Sequence, residues 1–212
     1  MALPPEARIR NYPQEIHELH SMLEKRFARE AKVIDSTTGY IDAAFMNKPP
    51  LDPSALDAQA RILAHELSFT NPDFIVGIPQ SGLPLAKQMI DYFPRARFLD
   101  AKKTQTKPVE WPRAVLFQVY SFTQKAHMTM ALEDVPEGSR ILVVDDVSAH
   151  GHAGGGAIET INKYRGVAVG LAVGFYKQFQ GGLHEIAKKY RVPTASAITV
   201  VSITKDNQFI LQ

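Results

Sequence analysis

Cysteine is absent from the 212-residue chain, which excludes a disulfide scaffold, a thiolate metal site and a cysteine nucleophile. No apolar run approaches the roughly 20 residues that span a bilayer. The opening stretch MALPPEARIRNYPQEIHELH lacks the apolar centre of a signal peptide, so a cytoplasmic protein with no membrane partner is expected. Neither sign of charge prevails: 24 Lys and Arg against 22 Asp and Glu leave a net charge of +2, too little to argue for a nucleic-acid partner. Internal repeats and low-complexity segments are absent too.

What is present fits one α/β domain. Apolar residues make up 45% and charged residues 22%, close to the average for globular chains of a size that buries a real core. Ile16, Leu19, Leu23 and Phe27 recur at helical spacing, predicting a helix over about 14–30. Residues 32–52 show no clear period. Asp52-Pro53 opens a second helix carrying Leu56, Ala60, Leu63 and Leu67. Beyond it, short apolar runs at 73–78, 96–99, 114–122, 126–132, 139–147, 167–175 and 195–203 read as strands. Helical patterns at 81–93, about 155–165 and around Leu183–Tyr190 lie between them, while 100–113 is polar, basic and broken by prolines. Strands alternating with helices imply a mostly parallel central sheet flanked by helices. Ligands in such sheets bind beyond the carboxyl ends of the strands.

The segment RILVVDDVSAHGHAGGGAIETI, residues 140–161, occupies that location. An apolar strand stops at Asp145 and Asp146, and small residues with two histidines precede a helix. A dinucleotide fold would need an acid at the end of the next strand, where Lys177 stands instead. A metal site could use Asp145, Asp146, His150 and His152, but a His-x-His in a glycine loop is a common chance pattern. A phosphorylated sugar accounts for more of the residues. Carboxylates accept hydrogen bonds from ribose hydroxyls, and a loop of small residues at a helix N-terminus offers backbone N–H groups and a favourable dipole to a phosphate.

The stretch ILVVDDVSAHGHAGG resembles the phosphoribosyl-pyrophosphate motif of the type I phosphoribosyltransferases, most similarly the bacterial xanthine branch. The segments FMNKPPLDP (45–53), IVGIPQSGLPLA (75–86), VYSFT (119–123) and YKQFQGG (176–182) resemble that family in the same order.

The resemblance implies a type I phosphoribosyltransferase fold: a single domain over 1–212, with an N-terminal helical extension (1–31), a hood-like flap (32–52) and a core (53–212). It implies Asp145 and Asp146 as catalytic groups on the ribose hydroxyls. Ala149, His150, Gly151, His152 and Ala153 match the 5-phosphate loop, with imidazoles where small or amide side chains are usual. Gln80, Ser81 and Gly82 match the pyrophosphate loop, and Lys103 a lysine on the same group, with Lys102 a near substitute. Lys177, Asn47, Tyr40 and Phe179 match purine-pocket positions. The implied reaction transfers 5-phosphoribosyl to N9 of a 6-oxopurine, xanthine favoured, and releases pyrophosphate. Mg²⁺ is expected to arrive with the diphosphate rather than on a protein cage, and a homodimer is expected. The alternatives are an adenine phosphoribosyltransferase-like enzyme, or a non-catalytic regulator that senses phosphoribosyl pyrophosphate.

Overall fold

The computed structural model describes residues 13–121 and 126–212, together with the backbone but not the side chains of Asn47 and residues 119–121. Residues 1–12 of the expected extension, and the end of the VYSFT motif, lie outside the described residues.

Helix α1 (Pro13–Glu30) follows the periodicity, burying Ile16, Leu23 and Phe27. A hairpin comes next, β1 (Lys32–Asp35) and β2 (Tyr40–Asp42), then the one-turn helix α2 (Ala44–Asn47). Helix α3 (Pro53–Leu67) starts where Asp52 accepts from the N–H groups of Ser54 and Ala55, with Pro53 in the first turn. Such a side-chain acceptor meets N–H groups that the helix itself leaves unpaired.

The α-helices and strands that follow are β3 (Phe74–Gly77), α4 (Gly82–Met89), β4 (Arg97–Leu99), β5 (Ala101–Lys103), β6 (Val115–Ser121), β7 (Ala126–Leu132), β8 (Arg140–Ser148), α5 (His152–Lys163), β9 (Val167–Lys177), α6 (Gly182–Tyr190), β10 (Thr194–Ile203) and β11 (Phe209–Leu211). Six strands form the central sheet in the order β11-β10-β9-β8-β3-β4, parallel except for the β10–β11 pair. β5, β7 and β6 make a separate antiparallel sheet.

Two apolar cores cover the two faces of the central sheet. One packs Leu23, Phe27, Ile62, Leu63, Leu85 and Met89 from α1, α3 and α4 against Ile75, Leu142, Val144 and Ala172. The other packs Ile158 and Ile161 of α5, Ile186 of α6 and Met130 and Leu132 of β7 against Val76, Val143 and Val173. β8 and β9 are buried on both sides, which explains their unbroken apolar runs.

The differences from the sequence reading are local. Residues 32–42 form a hairpin whose turn is tied by Asp35, which accepts from the N–H groups of Thr37 and Thr38 and from the Thr38 hydroxyl. β5 occupies the start of the expected polar loop, and β11 adds an antiparallel edge that no periodicity predicts. α5 begins at His152 rather than near 155, so Gly154, Gly155 and Gly156 are helical rather than part of a turn. Close packing is the reason: a Cβ on Gly154 would stand 2.7 Å from the side chain of Leu171 in β9.

Candidate active site

β3 ends at Gly77, paired with Val144 of β8. β8 runs on, so Asp145 and Asp146 project past the end of its neighbour. The N–H of Ile78 still donates to the carbonyl of Val144, at 2.8 Å. From there the chain turns across the strand ends through Pro79 and Gln80, joined by a cis peptide bond, into α4 at Gly82. Gln80 is exposed, Ser81 half-buried and Gly82 buried. A Cβ on Gly82 would meet the Asp145 Cα and the Val144 carbonyl oxygen, each at 2.9 Å. The turn is therefore seated directly on Asp145.

Asp145 is buried and Asp146 half-buried. The Asp146 N–H donates to Oδ1 of Asp145 at 2.9 Å. Burial pushes the Asp145 carboxyl well above the usual carboxylate range, and the charge of Asp146 adds to the effect. Lys177, the last residue of β9, is buried at 8% exposure. Desolvation lowers its pKa, while the carboxylate of Asp146 acts in the opposite sense and favours the ammonium. Two acids and a lysine thus stand near the ends of adjacent strands.

Ala149, His150 and Gly151 form the turn after β8, and His152 and Ala153 open α5. Gly151 takes a left-handed conformation with φ 76° and, as a glycine, brings no side-chain cap to the helix it starts. The turn is fixed from outside: the N–H of Gly182 donates to the carbonyl of Ala149 at 2.9 Å. His150 and His152 are exposed, their ring centroids 6.2 Å apart. A helix start that begins at a glycine beside a strand-end acid pair is chemically suited to a sugar phosphate.

A family model described as "Phosphoribosyl transferase domain" matches residues 52–207. The chain belongs to the phosphoribosyl transferase domain family. It is thereby an enzyme of the glycosyl-transferring class. A xanthine phosphoribosyltransferase of Oenococcus oeni is 25% identical over 181 residues, covering 84% of this chain and 85% of that protein. An adenine phosphoribosyltransferase of Thermobifida fusca is 31% identical over 136 residues, covering 64% and 74% respectively. The crystal structure of an adenine phosphoribosyltransferase from Rhodothermus marinus has the same fold, with a TM-score of 0.67 at 17% identity over 87% of this chain and 99% of that one.

On this phosphoribosyl transferase fold the other expected positions fall in two places. Lys103 closes β5 on the antiparallel sheet and is exposed. Its neighbour Lys102 donates to Glu110 at 2.6 Å and lies 4.2 Å from the Trp111 ring centroid. Tyr40 and Phe179 are exposed at 40% and 42%. Asn47 ends α2.

Two residues where the hairpin meets the turn after β9 were not singled out from sequence. Gly39 packs on Phe179, so closely that a Cβ would stand 2.8 Å from its ring. Gln180 Nε2 donates to the carbonyl of Thr38 at 3.0 Å. The hairpin tip thus meets the turn that follows Lys177. Glycine is a residue that marks turns, as in STTG at 36–39, but nothing in the sequence names its partner.

Proposed function

We propose that this chain transfers 5-phosphoribosyl from phosphoribosyl pyrophosphate to N9 of a 6-oxopurine, xanthine favoured, releasing pyrophosphate in purine salvage. The observation that carries the reading is Lys177, a lysine buried at the end of β9, the strand next to the one that carries Asp145 and Asp146. An ammonium donates to an exocyclic carbonyl such as O6 and finds no acceptor in the amino group of adenine. The xanthine phosphoribosyltransferases among its relatives support that choice.

In this reading the ribose hydroxyls donate to Asp145 and Asp146, the 5-phosphate takes the N–H groups of residues 149–153, and the diphosphate rests on Gln80, Ser81 and Gly82 with Lys103 facing it. N9 attacks C1 as the bond from C1 to the diphosphate oxygen breaks; the leaving group keeps that electron pair, and the imidazole N–H proton of the purine passes to the departing diphosphate or to water. Positive charge grows on the ribose ring in between. Asp145 is held toward its neutral form by burial. Hydroxyl donors and a cationic ring both favour its carboxylate, so the acid interacts most strongly with the state that forms in the reaction. Phe179 and Tyr40 would flank the base, and Asn47 would bond to its edge.

The resemblance implies Mg²⁺ with the diphosphate, and the residues fit such an ion. Among the described residues no three His, Asp or Glu groups could hold a metal. Adjacent carboxylates at a strand end suit an ion that keeps waters and substrate phosphates as ligands. When bound, Mg²⁺ would neutralise charge on the departing diphosphate.

Binding of phosphoribosyl pyrophosphate to the Asp145→Asn/Asp146→Asn double variant tests the ribose assignment. Affinity should fall by about tenfold or more; unchanged affinity would remove the acids from the sugar site.

A further inference from the structure

Gln59 is a polar side chain in the middle of an apolar face. It lies on α3, is fully buried at 0% exposure, and sits among buried Ala55, Leu56, Leu63 and Met46. One amide hydrogen returns to its own helix at the carbonyl of Ala55, 3.0 Å away. The other crosses to α2 and meets the carbonyl of Met46 at 3.1 Å. Its Oε1 is buried and has no partner among the described residues. Packing alone gives no reason for this, since an aliphatic side chain would fill the same space without an unsatisfied acceptor. What the glutamine supplies is the bond to Met46.

That bond falls on the element least able to hold itself. α2 has four residues, and Ala43 at its start provides no side-chain cap. A single turn has no intrinsic stability, so its position comes from neighbours. Met46 is pinned twice, by its buried side chain at 1% exposure and by Gln59 at its carbonyl. The next residue is Asn47, expected at the purine edge. α3, by contrast, is a 15-residue helix capped by Asp52.

We propose that Gln59 is a positioning residue for the purine: it ties the carbonyl of Met46 to the rigid helix α3 and so sets where Asn47 is presented. This rests on the purine reading of the site.

The test is Gln59→Met in the full chain, a near-isosteric change that removes the donor. The KM for the purine should rise about tenfold, the size expected for one lost hydrogen bond acting through position, with the KM for phosphoribosyl pyrophosphate within about twofold of wild type. Hydrogen exchange at the amides of 44–48 should quicken while α3 keeps its protection. An unchanged purine KM overturns the proposal, and so does an equal rise in both KM values, which would report general loosening. A wild-type protein that turns over no purine overturns the functional reading instead. The exchange measurement needs no turnover and then decides whether Gln59 braces α2 at all, unchanged protection again counting against it.

Discussion

Gly82 rests on Asp145 with no room for a methyl group between them: a Cβ would stand 2.9 Å from the Asp145 Cα. The turn proposed to take the diphosphate and the acid proposed to take the ribose are therefore one packed unit. Gly82→Ala must push backbone against the central strand β8, which cannot yield as a flexible side chain would. A loss of about 1–3 kcal/mol in stability is expected, together with a raised KM for phosphoribosyl pyrophosphate and little change for the base. Denaturant unfolding and steady-state kinetics check both.

Asp145 sets stability against activity. Burial raises its pKa above the unfolded value of about 4. The folded chain therefore holds that proton more tightly than the unfolded one, and the stability this gives is lost as pH rises through the folded pKa. Asp145→Asn has no such loss. Its melting temperature should match wild type near pH 4 and exceed it increasingly toward neutral pH, by about 2–4 °C per kcal/mol relieved. Activity should fall about 100-fold or more. Thermal melts across pH check the first, and initial rates the second.

Lys177→Met keeps chain length and removes a buried charge. The fold should persist, since burial already disfavours the ammonium. The KM for a 6-oxopurine should rise about tenfold, with adenine unaffected. An equal effect on both bases would make Lys177 structural.

Asp52 links α1 to the start of α3. It accepts from Arg26 Nη2 at 2.6 Å as well as from the N–H groups of Ser54 and Ala55, and Arg26 also lies 4.9 Å from the Phe45 ring centroid. Arg26, then the Ser54 hydroxyl and the Ala55 N–H, hold the Asp52 carboxyl well below the usual range. Its contribution is present above the unfolded pKa of about 4 and is lost as pH falls through the lower folded value. Asp52→Ala should cost about 1 kcal/mol at neutral pH. The gap from wild type should narrow in acid, as urea unfolding at about pH 7 and pH 3 would show.

The sheet and the acid pair were legible because β8 and β9 are buried on both faces, leaving continuous apolar runs that end at charged residues. The phosphate turn was legible in part. Gly151 does turn the chain, but Gly154 faces Leu171, and a glycine needed for close helix packing looks like a glycine needed for a turn. Strands β1, β2, β5 and β11 have three or four residues each, too few to show a period, and they exist because a partner strand pairs with them. A purine role for Lys177 came only from the family resemblance, since a lysine at a strand end is usually solvated. Gln59 gave no signal, because its role depends on a carbonyl 13 residues away in sequence.

Pyrophosphate release is the most direct test of the central claim. The protein should be incubated with labelled phosphoribosyl pyrophosphate, Mg²⁺ and xanthine, guanine, hypoxanthine or adenine in turn. The predicted result is stoichiometric pyrophosphate and nucleoside monophosphate with a 6-oxopurine, fastest with xanthine. Turnover of adenine alone would contradict the role of Lys177, and no release with any of the four would contradict the proposed activity.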